Sequence, residues 1–222
     1  MLYHLQAVKD NIRNRDGKRV FYLADTDRLT GEARDYLNHQ RIEILPISHA
    51  RPNRYRLLGG GYLEEKPEDM THLSGDILVS KAHPRIAFRG AMDTLEAELL
   101  LCQWHTPQWK EELGQVLTLA RRLLACEVLE EPVKEDVLCG LTQDELRSHS
   151  HRPQDYYGQP HFMPEVSDGE SVLRLNRVRC AVRAAELKAV VAIPERIDIL
   201  QALNRMSSML YILMIRQKAK TR

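Results

Sequence analysis

The chain has 222 residues, of which 43% are apolar and 28% are charged, and its 32 basic side chains almost balance its 31 acidic ones. The near-zero net charge argues against a partner held by bulk electrostatic attraction, such as duplex DNA or an acidic membrane, so any anion site must be local. No apolar run approaches the ~20 residues of a membrane span, and the N-terminal segment lacks the apolar centre of a signal peptide. We therefore expect a cytosolic protein, long enough for one sizeable core and a small appended unit.

The cysteines and histidines do not form a metal-binding pattern. The four cysteines are scattered and include no CxxC pair, so neither a zinc site nor a disulfide framework is indicated. His149, His151 and His161 form a cluster in the sequence, and the stretch Ser148-His149-Ser150-His151 is polar and flanked by proline, which is typical of a loop. We predict no metal site in the chain itself.

The first 50 residues have the pattern of a small α/β unit. Residues 19–23 and 42–46 are predicted strands, and Thr30 is a predicted N-cap of a short helix that ends near Leu37. This order predicts a βαβ-like unit over residues 1–50. Residues 51–66, which contain Arg51-Pro52-Asn53 and the three glycines Gly59-Gly60-Gly61, are a predicted linker or long loop.

From residue 85 onward the apolar residues follow helical periodicity, and prolines separate the periodic segments. The pattern predicts a mainly α chain whose residues 67–222 form an antiparallel five-helix bundle. Its helices are predicted at residues 85–104, 109–130, 142–150, 168–192 and 196–219.

One predicted helix carries the charged residues with the clearest functional pattern. Arg179, Arg183 and Glu186 share one face over about two turns, and Asn204-Arg205 follows on the next helix. Two arginines and a carboxylate held at the border of a buried face could clamp a polyphosphate and orient its ribose. The same spacing is also that of a solvated face with weak ion pairs, and spacing alone does not decide between the two.

Several motifs in order give a resemblance to a known family. They are Lys81, Pro84-Arg85, Gly90 and Asp93, then Phe162-Met163-Pro164, Arg179-x3-Arg183-x2-Glu186 and Leu203-Asn204-Arg205-Met206-Ser207-Ser208. This series resembles the PduO-type ATP:cob(I)alamin adenosyltransferases. Ala91 replaces a threonine of the family pattern, and Ser208 replaces an aspartate.

Further motifs are similar to the ethanolamine-utilization branch of that family, the EutT-type corrinoid adenosyltransferases. They are Leu29-Thr30-x3-Arg34-x2-Leu37, Lys66-Pro67-x3-Thr71-His72-Leu73, Gly140-Leu141-x2-Asp144-Glu145-Leu146 and the run from Asp198 to Arg205. With them the resemblance covers nearly the whole chain. Many members of this branch carry a Cys-Cys-x2-Cys metal motif, which this chain lacks because its first cysteine is Cys102.

The resemblance implies transfer of the 5′-deoxyadenosyl group of ATP to the Co(I) of reduced cobalamin, with release of inorganic triphosphate. Co(I) is itself the nucleophile, so the protein need only position the substrates, neutralise charge and exclude water. Mg²⁺ is expected on the phosphates. The residues implied for ATP are Thr71, His72, Gly75, Lys81, Arg183, Glu186 and Asn204, and those implied for catalysis are Arg183, Arg179 and Asp93.

Within that set the implied roles differ. Lys81 and the backbone near Gly75 would hold phosphates, and Arg183 would bind them with its planar fork. Glu186 and Asn204 would orient the ribose and adenine, although Asn204 could instead brace a helix contact. Arg179 and Asp93 match positions that form a salt bridge between subunits next to the nucleotide.

The implied corrinoid residues are His161, Phe162 and Met163. The family uses a bulky apolar side chain to displace the lower cobalt ligand and so ease reduction. We expect Phe162 to be this wedge, while His161 could instead coordinate or brace the corrin.

The resemblance further implies a homo-oligomer, a trimer in the wider family, together with a reductase and ethanolamine ammonia-lyase as partners. A bacterial microcompartment is the alternative location to the open cytoplasm. Two other functions remain open from sequence: a corrinoid or nucleotide carrier without turnover, and a structural adaptor whose N-terminal unit docks a partner.

Overall fold

The computed structural model describes residues 1–15, 17–50, 55–134 and 137–220. Within them the chain is mainly helical, with eight α-helices and eleven short strands. It divides into two compact units, Met1–His83 and Pro84–Arg222, whereas the sequence suggested a boundary near residue 66.

The first unit contains nine strands and two helices. In chain order they are β1 (Leu2–Tyr3), α1 (Leu5–Asp10), β2 (Arg13–Arg15), β3 (Lys18–Leu23), β4 (Arg28–Leu29), α2 (Gly31–His39), β5 (Glu43–Pro46), β6 (Tyr55–Leu57), β7 (Tyr62–Leu63), β8 (Met70–Ser74) and β9 (Ile77–Ser80). The side-chain oxygen of Thr30 accepts a hydrogen bond from the Ala33 amide at 3.3 Å, which confirms Thr30 as the N-cap of α2.

A seven-stranded sheet, in the order β5-β3-β2-β7-β6-β9-β8, organises this unit. Strands β3 and β5 are parallel and α2 lies between them in the chain, which confirms the βαβ order expected from the sequence. A small core packs on this part of the sheet and consists of Val8, Ile12, Phe21, Ala33, Leu37 and Ile42.

Two strands lie in the segment that the sequence predicted to be a linker. The hairpin of β6 and β7 turns at the glycines of residues 59–61, and it joins the sheet at both β2 and β9. Strands of two and three residues are too short to show the alternation of apolar and polar side chains. The three glycines were therefore the only sign of a turn in this part of the sequence. The Arg51-Pro52-Asn53 part of that prediction lies outside the described residues.

A buried hydrogen bond links the sheet to the chain after β7. The Tyr22 hydroxyl donates to Glu64 Oε1 at 3.0 Å, and both side chains are buried. Burial, followed by the hydrogen bond to the Glu64 carboxylate, raises the pKa of Tyr22. The phenol therefore stays protonated and acts as the donor.

The second unit contains six helices and one short hairpin among its described residues. They are α3 (Pro84–His105), α4 (Lys110–Leu129), β10 (Val137–Leu138), β11 (Leu141–Thr142), α5 (Gln143–His151), α6 (Pro153–Tyr157), α7 (Gly169–Ala192) and α8 (Ile197–Lys220). All five predicted helices are confirmed, each within one residue at either end. The loop predicted for residues 148–151 is wrong, because His149 and His151 form the last turn of α5. The five-residue α6 was missed, because a single turn after Pro153 is too short to show periodicity.

Helix α8 is the centre of this unit. The apolar stripe predicted to be core, Ile199, Leu203, Met206, Leu210 and Leu213, is fully buried. Toward its C-terminal end the helix is apolar on all sides, with Ile212, Met214 and Ile215 also buried, as expected for a helix surrounded by others. Helices α4, α5, α6 and α7 pack against it, and α3 packs against α7 and α4; the larger of the two apolar clusters among the described residues fills the space between them.

The junction between α7 and α8 is fixed by Arg196 and Asp198. Arg196 Nη2 donates to Asp198 Oδ2 at 2.8 Å and to the Glu131 carbonyl at 2.7 Å, and Asp198 Oδ2 accepts from the Val133 amide at 2.9 Å. The Arg196 guanidinium lowers the pKa of Asp198 well below its usual range. The charged pair therefore persists at neutral pH and ties the start of α8 to the end of α4.

A buried carboxylate joins α3 to α4. The Glu127 side chain is fully buried, and it accepts from Arg89 Nε at 2.7 Å and from Arg85 Nε. Arg85 Nη2 also donates to the Glu127 carbonyl at 2.9 Å. The neighbouring Glu130 contacts Arg85 as well, at 3.3 Å, but its side chain is mostly exposed.

We predict that Glu127→Ala lowers the free energy of unfolding by about 2–4 kcal/mol, because it leaves two partly buried guanidinium groups without their shared carboxylate. Glu130→Ala is the matched control and should change that free energy by less than about 1 kcal/mol, since exposed ion pairs contribute little. Urea unfolding followed by far-ultraviolet circular dichroism measures both. Equal effects of the two substitutions would contradict the role given to Glu127.

Candidate functional site

The charged residues singled out on α7 border its buried face. Val178, Val182 and Ala185 are fully buried in the core, while Arg183 is exposed and Arg179 and Glu186 are half-buried. Within the described residues Arg183 makes no ion pair or hydrogen bond. The arrangement presents an exposed guanidinium on a rigid support, beside a partly desolvated carboxylate.

Glu186 and Asn204 come together across α7 and α8. Asn204 Nδ2 donates to Glu186 Oε1 at 3.2 Å, and Arg205 Nη1 donates to Asn204 Oδ1 at 3.0 Å. The second carboxylate oxygen of Glu186 has no partner among the described residues, and the buried Nε of Arg205 has none either. The hydrogen bond from Asn204 to Glu186 joins α8 to α7, so Asn204 braces a contact between these helices. The same bond fixes the orientation of the Asn204 and Glu186 side chains.

A cavity of about 380 Å³ lies at the other end of this face. The loop residues proposed for the corrinoid line it together with residues of α7 and α8: His161, Phe162, Met163, Pro164, Arg179 and Tyr211. The Met163 side chain is 84% exposed, whereas Phe162 is half-buried. The structure thus brings all three sequence-proposed corrinoid residues to one cavity and adds Arg179 to them.

Tyr211 organises the loop at this cavity. Its hydroxyl accepts from the Phe162 amide at 3.3 Å and lies 3.1 Å from His161 Nδ1. The rings of His161 and Tyr211 are nearly parallel, and the Arg179 guanidinium lies 6.0 Å from the Tyr211 ring centre. Sequence reasoning missed Tyr211, although its position seven residues after Asn204 placed it on the same side of α8 as that residue.

The contacts of His161 determine its tautomer. Its Nε2 lies 3.0 Å from the His151 carbonyl, which only accepts, so Nε2 carries the proton. In the neutral ring Nδ1 then accepts from the Tyr211 hydroxyl. Both ring nitrogens of His161 are therefore engaged within the chain, which favours bracing over coordination of cobalt.

Arg179 and Asp93 do not pair with each other within the chain. Arg179 donates from Nε and Nη2 to Asn176 Oδ1, at 3.2 and 3.0 Å. Asp93 is exposed on α3 and has no ion pair within the described residues. A salt bridge between subunits remains a prediction for these two residues.

The other residues proposed for ATP belong to the first unit. Thr71 and His72 lie on β8, and Gly75 lies in the turn to β9 with a φ of +53°. His72 Nδ1 donates to the Gly75 carbonyl at 2.9 Å, so the turn and the histidine hold each other. The exposed Lys81 follows β9, and its amide donates to the Asp69 carbonyl at 2.8 Å.

The structure adds two observations on metals and membranes. Residues 1–15, 17–50, 55–134 and 137–220 include no group of three or more histidine, cysteine or acidic side chains that could hold a metal ion. None of the helices described is both long and apolar enough to cross a membrane.

Comparison of the sequence with known proteins identifies a family. Residues 61–217 match the sequence model of cobalamin adenosyltransferases. The corrinoid adenosyltransferase EutT of Salmonella typhimurium is 32% identical over 235 residues, which cover 92% of this chain and 88% of that protein. The corrinoid adenosyltransferase EutT of Escherichia coli K12 is 33% identical over 230 residues, which cover 90% and 86% of the two chains.

No solved structure gives a significant match to the chain. The family match nevertheless spans most of the sequence, and it includes the cavity loop, the charged face of α7 and the Asn204-Arg205 pair. The chain therefore belongs to the cobalamin adenosyltransferase family.

Proposed function

We propose that this protein transfers the 5′-deoxyadenosyl group of ATP to the Co(I) of reduced cobalamin, and that it does so on the second unit with α7 and α8 as the support. The observation that carries this proposal is the cavity at which His161, Phe162 and Met163 meet Arg179 and Tyr211. Arg179 lies on α7, the helix that also presents Arg183. A cavity suited to an apolar ring system and a cation suited to a polyphosphate thus lie along α7.

Charge neutralisation is the task of Arg183 in this proposal. The triphosphate leaves as a highly charged anion, so negative charge grows on the oxygen that separates from C5′. The exposed guanidinium of Arg183 is available to bind two phosphate oxygens at once. Glu186 and Asn204, already hydrogen-bonded to each other, would accept from the ribose and donate to the adenine.

The resemblance also implies phosphate-binding residues in the first unit. Lys81, Thr71 and His72, together with the turn at Gly75, are proposed to contact phosphate oxygens. Mg²⁺ is proposed to enter on the nucleotide, because the described residues offer no carboxylate cluster that would hold it by themselves.

Cobalamin would be bound by the cavity loop. Phe162 is proposed to be the apolar wedge that displaces the lower cobalt ligand, because it is half-buried in the loop that Tyr211 holds and its amide is fixed by the Tyr211 hydroxyl. The exposed Met163 would widen the apolar contact. His161 would brace this loop through its two hydrogen bonds.

A homo-oligomer, with a trimer favoured by the wider family, is part of the proposal. Helices α3, α4, α5, α7 and α8 are proposed to form an antiparallel bundle whose outer face is covered by another copy. Three exposed apolar residues on α7 support this: Leu187, Val190 and Val191. Asp93, which has no ion pair in the described part of the chain, would meet Arg179 of a neighbouring copy.

The product is proposed to serve ethanolamine ammonia-lyase, in the cytoplasm or in a bacterial microcompartment, with a separate reductase supplying the electron. This part rests on the branch motifs, such as Lys66-Pro67-x3-Thr71-His72, and on the similarity to the two EutT proteins.

Anaerobic turnover with chemically reduced cobalamin, ATP and Mg²⁺ tests the role of Arg183, followed by cobalamin absorbance and triphosphate release. We expect Arg183→Ala to lower kcat by about 100-fold or more, because it removes a cation that faces developing charge. Arg183→Lys should recover only part of the loss, since a lysine cannot bind two oxygens as a fork.

Arg177→Ala is the matched control for Arg183. Arg177 is an exposed arginine of the same helix whose Nη2 pairs with Glu98 at 2.8 Å, and its removal should change kcat by less than about twofold. Wild-type turnover in Arg183→Ala would contradict the assignment. Binding of ATP and cobalamin by the wild type without turnover would instead support the carrier.

Tyr211→Phe tests how the cavity loop is held. Loss of the hydroxyl frees His161 Nδ1 and the Phe162 amide, so we expect the KM for cobalamin to rise about five- to tenfold. Tyr157→Phe is the control, because it breaks a similar bond to His149 Nδ1, of 2.8 Å, outside the cavity. Each variant should lose about 1 kcal/mol of stability, and an equal rise of KM in both would exclude a specific role for Tyr211.

Phe162→Ala tests the wedge. We expect the rate with cobalamin to fall roughly 10–200-fold, as for loss of apolar volume in a substrate pocket. A corrinoid without a lower ligand should be adenosylated at nearly the wild-type rate, because nothing needs displacement. An equal loss with both corrinoids would show that Phe162 contributes packing and not ligand displacement.

A further inference from the structure

A second polar cavity lies wholly within the first unit. It has a volume of about 380 Å³, which falls in the range of small-molecule sites. Its walls come from α1, β2, β3, α2 and the turn between β6 and β7. None of the residues assigned above to ATP or cobalamin lines it, so the proposed function leaves this cavity unexplained.

Cations dominate its charged lining. Lys9 and Arg19 line the cavity, and Asp10 is its only carboxylate among the described residues. Asp10 Oδ1 is already engaged by a hydrogen bond from Gln6 Nε2 at 2.8 Å. A chain with almost no net charge thus concentrates positive charge at one concave place.

An aromatic ring orients one of these cations. The Lys9 ammonium lies 5.1 Å from the centre of the Tyr36 ring, which also lines the cavity. A ring face attracts a cation without cancelling its charge, so this contact fixes the ammonium while preserving its attraction for an anion. The Arg13 guanidinium is not part of this arrangement, because it lies over the Tyr22 ring on the face of β3 opposite Arg19.

The opposite wall is backbone. Gly59, Gly60 and Gly61 line the cavity without side chains, so a ligand could approach their peptide groups closely. Gly60 and Gly61 have φ values of +93° and +92°, and a Cβ at Gly61 would lie only 3.3 Å from the Ile12 carbonyl oxygen. Glycine at 61 is thus required both by the backbone conformation and by the close approach to Ile12.

We propose that this cavity, bounded by Lys9, Arg19 and the Gly59–Gly61 turn, binds a small phosphate-bearing anion. A lysine and an arginine at one cavity suit a group with two negative charges, and the arginine fork matches phosphate oxygens in pairs. The apolar floor of Ile12 and Leu57 accepts a small organic body attached to the phosphate. This site is separate in its residues from the adenosyl-transfer chemistry, and its test does not depend on that activity.

The test uses the full chain labelled with ¹⁵N at its 11 glycines and titrated with inorganic phosphate against sodium chloride of equal ionic strength. We expect the resonances of Gly59, Gly60 and Gly61 to shift saturably with phosphate and not with chloride. Gly59→Ala assists the assignment, because Gly59 has no positive φ and a Cβ there would meet open space.

Charge variants locate the binding. Arg19→Gln and Lys9→Gln should each weaken phosphate affinity about five- to tenfold, and Arg19→Lys should retain part of it. Lys18→Gln is the matched control: it removes one positive charge at the adjacent exposed position of β3, outside the cavity lining, and should change affinity less than twofold. Absence of a saturable shift in the wild type, or equal weakening by Lys18→Gln and Arg19→Gln, would overturn the proposal.

Discussion

The packing of α7 against α8 is the contact on which the site in the second unit depends. Buried apolar residues of α7, including Val178, Val182 and Ala185, meet the central helix, and this fixes the rotation of α7 about its axis. The charged residues between them must then border the buried face. Glu186 therefore reaches Asn204, and Arg179 reaches the ring of Tyr211.

The same contact explains why two different chemistries meet along α7. A chain that binds both a polyphosphate and an apolar ring system needs fixed cations next to a cavity with apolar walls. On α7 the cation Arg183 stands one turn from Arg179, and Arg179 already belongs to the cavity. The Co(I) nucleophile comes with the substrate, so positioning of this kind is the main contribution that the protein needs to make.

Polar interactions elsewhere in the unit hold the supporting helices in place. Glu127 ties α3 to α4, and the Arg196–Asp198 pair ties the start of α8 to the end of α4. Neither group lies in the proposed site. Their common effect is to hold α3, α4 and the start of α8, which carries Asn204, in one arrangement before any substrate binds.

The sequence by itself determined the helices of the second unit, the core stripe of α8 and the βαβ order of residues 18–46, because each element is long enough for its period to show. It also indicated the family, through motifs that keep their order.

Only the tertiary structure decided which side chains that are distant in the chain come into contact. The role of Tyr211, the tautomer of His161, the short strands around Gly59–Gly61 and the basic cavity next to them all depend on side chains that are distant in the chain. Local patterns carry information about neighbours three or four residues away, whereas these contacts join residues up to 50 positions apart.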